Sequence, residues 1–216
     1  MIRWEFIKTI GLMPLGIFGA DLLSKFPFKN KSSEAYALSP VIKDGKYGFI
    51  DTKTNLMIAP YQFDDAEPFC EGLSMVTRYQ KSPKLGINKR VQETGYIDES
   101  GKQAIPFFEC LYSSRFSHGR AMFRTGSDTA CVKEGFIDRR GTVVIPPKFT
   151  SASIFKNGFS CVQVDDKYGF IDTSGNLICN CEFDVACNFG DNGRALVYIG
   201  DKFGWIDSSG QVSWQA

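Results

Sequence analysis

One histidine, seven cysteines, a set of regularly placed aspartates and a cluster of cations are the groups in this 216-residue chain that could do chemistry. The histidine, His118, stands in Ser117-His118-Gly119. A general base needs a partner that poises it and a cleft that receives the substrate, and a solvated turn is the expected setting here. A single histidine also excludes histidine-rich metal sites. Cys179-Asn180-Cys181, with Cys187 nearby, offers thiolates to a metal, but the spacing is not a two-residue knuckle pair and a fourth ligand is not evident. Cys161 and Cys187 replace small or apolar residues, which reads as buried filling. Free core thiols lead, disulfides in an oxidising compartment come second and a metal site third. No cofactor and no metal are expected.

The aspartates are Asp51, Asp98, Asp138, Asp172 and Asp207. Carboxylates that cleave glycosidic bonds work in pairs a few ångströms apart. These fall one to each recurrence of a phrase, so they are held apart, and capping a turn explains them with less. The cations are Arg78, Lys81, Lys84, Lys89 and Arg90, set against Glu93 alone within residues 78–94. Such a loop meets an anionic partner or is a solvated hairpin extension. Glycines follow a repeat rather than a phosphate-cradling pattern.

The elements that must carry these groups are written in that repeat. Glycine, an aromatic residue, isoleucine and aspartate recur at Gly48-Phe49-Ile50-Asp51, Gly95-Tyr96-Ile97-Asp98, Gly135-Phe136-Ile137-Asp138, Gly169-Phe170-Ile171-Asp172 and Gly204-Trp205-Ile206-Asp207. Successive glycines lie 47, 40, 34 and 35 residues apart. A period in this range marks an array of one supersecondary unit.

Within a unit, Lys46-Tyr47-Gly48-Phe49-Ile50 alternates as a strand does. A recurrent glycine inside a strand signals a bulge, or another backbone passing too close for a Cβ. The aspartate opens a polar turn that closes on glycine, as in Asp98-Glu99-Ser100-Gly101; the first copy has Thr54 there and calls for a different turn. A second apolar strand follows, expected to end at Pro60, Pro106 and Pro146 because proline cannot donate to a ladder. Phe63-Ala66-Phe69, Phe149-Ala152-Phe155 and Phe183-Ala186-Phe189 are spaced by three, which predicts one helical or 3₁₀ turn. A glycine-led third strand then leads to the next anchor. Each unit is thus read as about three strands and a turn of helix. Its apolar face is buried only when neighbours stack. The array starts part-way through a unit at Val41-Ile42, runs through four complete units and ends in a partial fifth.

The anchors with their preceding lysine, Lys46-Tyr47-Gly48, Lys167-Tyr168-Gly169 and Lys202-Phe203-Gly204, resemble the WG repeat family, also called KWG repeats. The resemblance covers about residues 41–216. It departs in placing Tyr or Phe, never Trp, before the glycine, with Thr94 in the second copy and Glu134 in the third, both after insertions (78–94 and 125–134). The resemblance implies tandem β-repeats, often exported from bacteria, with interaction roles and no catalytic residues. The expected fold is all-β, mainly antiparallel and solenoid-like, with a closed propeller-like arrangement as the alternative; uneven periods count against closure.

Residues 1–37 differ from the rest. They carry two cations before a short apolar run, then a polar stretch ending in Ala35-Tyr36-Ala37, an order that fits an export signal cleaved after Ala37. Arg3-Trp4-Glu5-Phe6-Ile7-Lys8 resembles a twin-arginine signal, with Trp4 where the second arginine belongs, so ordinary secretion stays open, as does an N-terminal helix. The apolar run, broken by Pro14 and Asp21, is too short for stable membrane insertion. Residues 38–216 form the repeat domain. Hydrophobic content of 43% and charge of 23% fit a chain that buries a core. A net charge of +1 gives no field that draws nucleic acid. The expectation is a non-enzymatic, exported, periplasmic or extracellular scaffold that binds a protein or cell-envelope polymer, with a cytoplasmic location as the alternative. A self-stacking structural module is the second reading, and a carbohydrate-active hydrolase is a distant third.

Overall fold

Alternating apolar and polar residues, broken at short intervals by turn-forming ones, fold here into five small antiparallel sheets. The structure is a computed structural model and describes residues 37–81, 90–126 and 132–215. Residues 1–36 of the proposed signal therefore lie outside the described residues, and the proposed cleavage bond, Ala37–Leu38, falls at the start of the described chain.

The first sheet contains β1 (Leu38–Lys43), β2 (Lys46–Asp51) and β3 (Met57–Phe63). The second contains β4 (Asp65–Ala66), β5 (Leu73–Lys81), β6 (Arg90–Asp98) and β7 (Gln103–Glu109). β8 (Tyr112–Ser113), β9 (Arg120–Thr125), β10 (Lys133–Asp138) and β11 (Val143–Phe149) make the third. The fourth is β12 (Ser151–Ala152), β13 (Phe159–Val164), β14 (Lys167–Asp172) and β15 (Leu177–Phe183). The fifth is β16 (Val185–Ala186), β17 (Arg194–Ile199), β18 (Lys202–Asp207) and β19 (Val212–Trp214). Strands pair in chain order within each sheet.

Four core clusters join the sheets, each bridging one sheet to the next. Phe49 packs with Ile97, Tyr96 with Ile137, Phe136 with Ile171, and Phe170 with Ile206. Alternation along the anchor strand explains this: its aromatic side chain faces the following sheet and its isoleucine the preceding one. Among the described residues no cluster joins the fifth sheet to the first. The array is open, solenoid-like and all-β, and the closed alternative is not adopted.

The glycine of the anchor is explained by what crosses it. Tyr47 pairs with Phe63 and Phe49 with Ala59, so β3 spends two extra residues in a bulge over Gly48. A Cβ on Gly48 would lie 2.7 Å from the Ala59 carbonyl oxygen, and one on Gly135 would lie 2.5 Å from that of Ile145. The second sheet has only one extra residue, between Tyr96↔Ile105 and Thr94↔Phe108, and Gly95 is correspondingly less crowded, at 3.2 Å.

Two expectations are corrected. Pro60, Pro106 and Pro146 do not end their strands; β3, β7 and β11 run through them. In β3 and β11 the proline falls inside the bulge, where a missing donor costs no ladder bond. The Phe-x-x-Ala-x-x-Phe segments are not helical, and no helix occurs among the described residues. Instead the chain bends just after Phe63, Phe149 and Phe183 and enters the next sheet as a two-residue strand. Each unit therefore has four strands shared between two sheets.

The last phenylalanine of that segment caps the anchor aromatic edge-on. Ring centroids are 5.3 Å apart for Phe49–Phe69, 4.9 Å for Tyr96–Phe116, 4.8 Å for Phe136–Phe155 and 5.1 Å for Phe170–Phe189. Tyr96, the one tyrosine among these buried anchors, brings a hydroxyl that must be satisfied. It donates to the Ser114 carbonyl at 2.7 Å and lies 2.6 Å from Ser113 Oγ. Ser113 stands where the other units have Ala66, Ala152 and Ala186, so the two polar departures are partners.

Candidate functional site

The repeated aspartates cap their own turns. Asp98 Oδ1 accepts from Ser100 N at 2.9 Å, Ser100 Oγ at 2.6 Å and Lys102 N at 3.1 Å. Asp138, Asp172 and Asp207 repeat the arrangement with Arg140, Ser174 and Ser209 and with the residue four on. In the first copy Asp51 caps Lys53 and Thr54, and Asn55, not Thr54, takes the left-handed backbone at φ 58°. The different turn expected there is present, one residue longer.

These hydrogen bonds hold all five carboxyls below the usual range. The leading cause is the Lys53 amide at Asp51, the Ser100 side chain at Asp98 and the Ser209 side chain at Asp207. At Asp138 and Asp172 slight burial opposes the shift and the turn's donors overcome it. The unfolded chain binds these protons more readily, so stability is complete above the ordinary aspartate value of about 3.9 and is lost as pH falls through the lower folded-state values. Thermal unfolding from pH 6 to pH 2 should show a flat melting temperature down to about pH 4 and a steepening fall below it. Asp98→Asn should flatten part of that fall.

His118 is exposed, with a left-handed backbone (φ 54°). Its amide and that of Gly119 donate to the Glu71 carboxylate at 2.6 and 2.9 Å, and its ring Nδ1 lies 3.2 Å from Ser117 Oγ. This is a turn contact between neighbouring units.

The six described cysteines are free thiols, and Cys131 lies outside the described residues. Burial pushes the Cys161 thiol up to about 12, with Cys187, Cys179 and Cys181 adding to the effect, and pushes Cys179 up to about 11. Burial raises Cys70, Cys110 and Cys181 as well. Among the described residues no group of three or more His, Cys, Asp or Glu is arranged to hold a metal. Thiolate is the reactive form. Cys187 is exposed rather than buried filling, and at pH 8 a disulfide reagent such as DTNB should titrate it fastest among the described cysteines of the native protein. Cys110 and Cys161 should react only on unfolding, in single-cysteine-deletion comparisons.

The cationic segment is a hairpin extension. β5 and β6 pair from Leu73↔Asp98 out to Lys81↔Arg90, which places Lys81 and Arg90 side by side and exposed at the described tip. Lys84 and Lys89 lie outside the described residues. Arg78 is already engaged: its Nε donates to Glu93 Oε2 at 2.6 Å, and its guanidinium lies 4.0 Å over the Phe107 ring. Among the described cations, Arg78 is thus set apart from the Lys81–Arg90 pair at the tip.

Phe107 leads to a feature that sequence spacing does not reveal. It lines an apolar groove between the second and third sheets with Phe108, Phe123, Ile137, Val143 and Arg140. These residues come from β7, β9, β10, β11 and the turn after Asp138, so only the stacking brings them together. The one departure in spacing nearby is that Pro106 to Phe116 spans one residue more than Pro60 to Phe69 or Pro146 to Phe155. Glu134, another departure, is 1% exposed; it accepts from Arg124 Nε at 2.7 Å and from the amide of Ala152 in the fourth sheet, tying two sheets together. Burying a carboxylate is tolerated only with such partners.

No helix among the described residues is long and apolar enough to cross a membrane, which leaves strand-built membrane proteins unaddressed. None of the curated proteins matches the sequence. Among solved structures, the crystal structure of HIRA(644-1017) aligns with a TM-score of 0.41 at 8% identity, covering 67% of this chain and 50% of that one. The chain thus spans about half the length of that structure. The WG containing repeat matches residues 47–81, 95–127, 135–168 and 168–203, four tandem copies that follow the anchors and take up more than half of the sequence. The chain belongs to the WG containing repeat family.

Proposed function

We propose that this protein is a non-enzymatic, exported scaffold that binds an anionic protein segment or cell-envelope polymer. Binding runs along the groove between the second and third sheets and the basic hairpin beside it. The observation that carries the reading is the pairing of an apolar floor (Phe107, Phe108, Phe123) with cations: Arg140 on the lining and Arg78 stacked over Phe107. Apolar contact supplies affinity, and a cationic rim steers and orients an acidic partner. The turn-capping role of the aspartates and the exposed setting of His118 support a binding rather than a catalytic function. Export is supported by the order of charged, apolar and small residues in 1–37.

Poly-glutamate of defined length, titrated into the labelled protein at low and physiological salt, tests the binding. Affinity should fall about tenfold with Arg140→Glu and again with the double change Lys81→Glu, Arg90→Glu, and the salt dependence should shrink. Equal affinity in all three proteins, or no binding at low salt, overturns the proposal. N-terminal sequencing of the periplasmic or secreted form should begin at Leu38. A full-length chain confined to the cytosol overturns export.

A further inference from the structure

The same seam is made four times, and its two halves recur, less covered, at the two ends of the array. On the leading half, the anchor aromatics Phe49, Tyr96, Phe136 and Phe170 are all 0% exposed, whereas their counterpart Trp205 is 36% exposed. Of the residues facing them across the sheet in the inner seams, Pro40, opposite Phe49, is half-buried. Met75, Met122 and Cys161 are buried, while Leu196, which pairs with Trp205, is half-buried.

On the receiving half, Ile97, Ile137, Ile171 and Ile206 are all buried, and Val76, Val162 and Val197 beside them are 0% exposed. The equivalent pair in the first sheet, Ile50 and Val41, is half-buried. Val41 pairs with Gly48 as Val76 does with Gly95, so the positions correspond residue for residue. Met57, opposite Ile50, is 46% exposed and adds a thioether suited to an aromatic ring.

We infer that the fifth sheet of one copy stacks on the first sheet of a second copy, with Trp205 and Leu196 against Val41, Ile50 and Met57. The occupant follows from continuity: the surface that covers Phe170 is the isoleucine face of the next sheet, and among the described residues one further face of that type is presented, in the first sheet. The two halves differ, so the interface is heterologous. A heterologous contact that does not close produces an open series rather than a fixed dimer.

Sedimentation velocity of the full chain from about 1 μM to about 1 mM, the range in which a modest apolar seam titrates, is the test. The wild type should grow with concentration past the dimer. Trp205→Asp and Ile50→Asp should each remain monomeric alone. Their equimolar mixture should form a dimer and stop, because only one intact seam is available. Val41→Glu replaces Ile50→Asp if the latter fails to reproduce the wild-type circular dichroism. A wild type that stays monomeric throughout, including one whose end faces are covered by residues 1–37 of its own chain, overturns the inference. Association of either variant alone, or a mixture that stays monomeric, overturns it equally. Poly-glutamate binding by Trp205→Asp is expected at wild-type strength, which separates this outcome from the groove proposal.

Discussion

Phe170→Ala is expected to destabilise the protein by about 3–5 kcal/mol, the usual range for emptying a fully buried phenylalanine site. Trp205→Ala, at the same place one repeat on, should cost well under half as much in dilute solution. Phe170 is 0% exposed and packs between Phe183 and Phe189, with ring centroids 6.5 and 5.1 Å away. Removing its ring leaves a cavity in the seam that carries the fifth sheet. Because stability in a stacked array is a sum of unit and neighbour terms, the loss should be local. Urea unfolding of Phe170→Ala should split, with the carboxy-terminal sheets, followed by Trp205 and Trp214 fluorescence, melting first. A single transition in which both tryptophans unfold together with the rest of the chain would contradict this account of the seam.

Gly135→Ala is the second large effect, at about 3 kcal/mol, and it arises from crowding rather than from a cavity. The added Cβ would meet the Ile145 oxygen at 2.5 Å, Pro147 N at 2.7 Å and the Pro146 carbonyl carbon at 2.9 Å. All three are backbone atoms of the bulge, and none can rotate away. Gly95→Ala is the internal comparison. Its nearest neighbours are at 3.2 Å and include the Phe107 ring, so it should cost only about 1 kcal/mol. Equal urea midpoints for the two variants would show that the bulge does not enforce glycine.

The contrast shows what a sequence can and cannot disclose about this architecture. A glycine inside an otherwise regular strand, five times over, points to a bulge or to a backbone too close for a Cβ, because few other causes select it. Four copies have the bulge, and in the fifth β18 and β19 pair without one while the Ser213 carbonyl oxygen crowds Gly204 at 2.9 Å. Aspartate and glycine at fixed separation pointed to the turns for a similar reason. Phe63-Ala66-Phe69 was misleading. Its interval of three matches a helical face, yet it arises because the chain bends after Phe63 and changes sheets, a tertiary event without a local signature. Proline was misjudged in the same way, since a bulge supplies the place where its missing donor goes unnoticed. The groove was less legible still. Phe107, Phe123 and Arg140 belong to different strands and turns, and only the stacking of the second sheet on the third makes them neighbours. The cationic segment was visible as composition, but Arg78 was not visible as a residue already committed to Glu93 and Phe107.

The bends after Phe63, Phe149 and Phe183 fall out of phase with the anchors, so every stretch from one anchor to the next finishes one sheet and begins another. Genetic growth of such a chain needs no privileged cut point. An in-frame duplication of about one period, started anywhere, returns each strand to a partner of its own kind, so copy number can drift by whole periods while local geometry is conserved. Extra residues have less freedom: most fall between β5 and β6 and between β9 and β10, and single ones lengthen the turn after Asp51, the stretch from Pro106 to Phe116 and the link from Phe189 to Arg194.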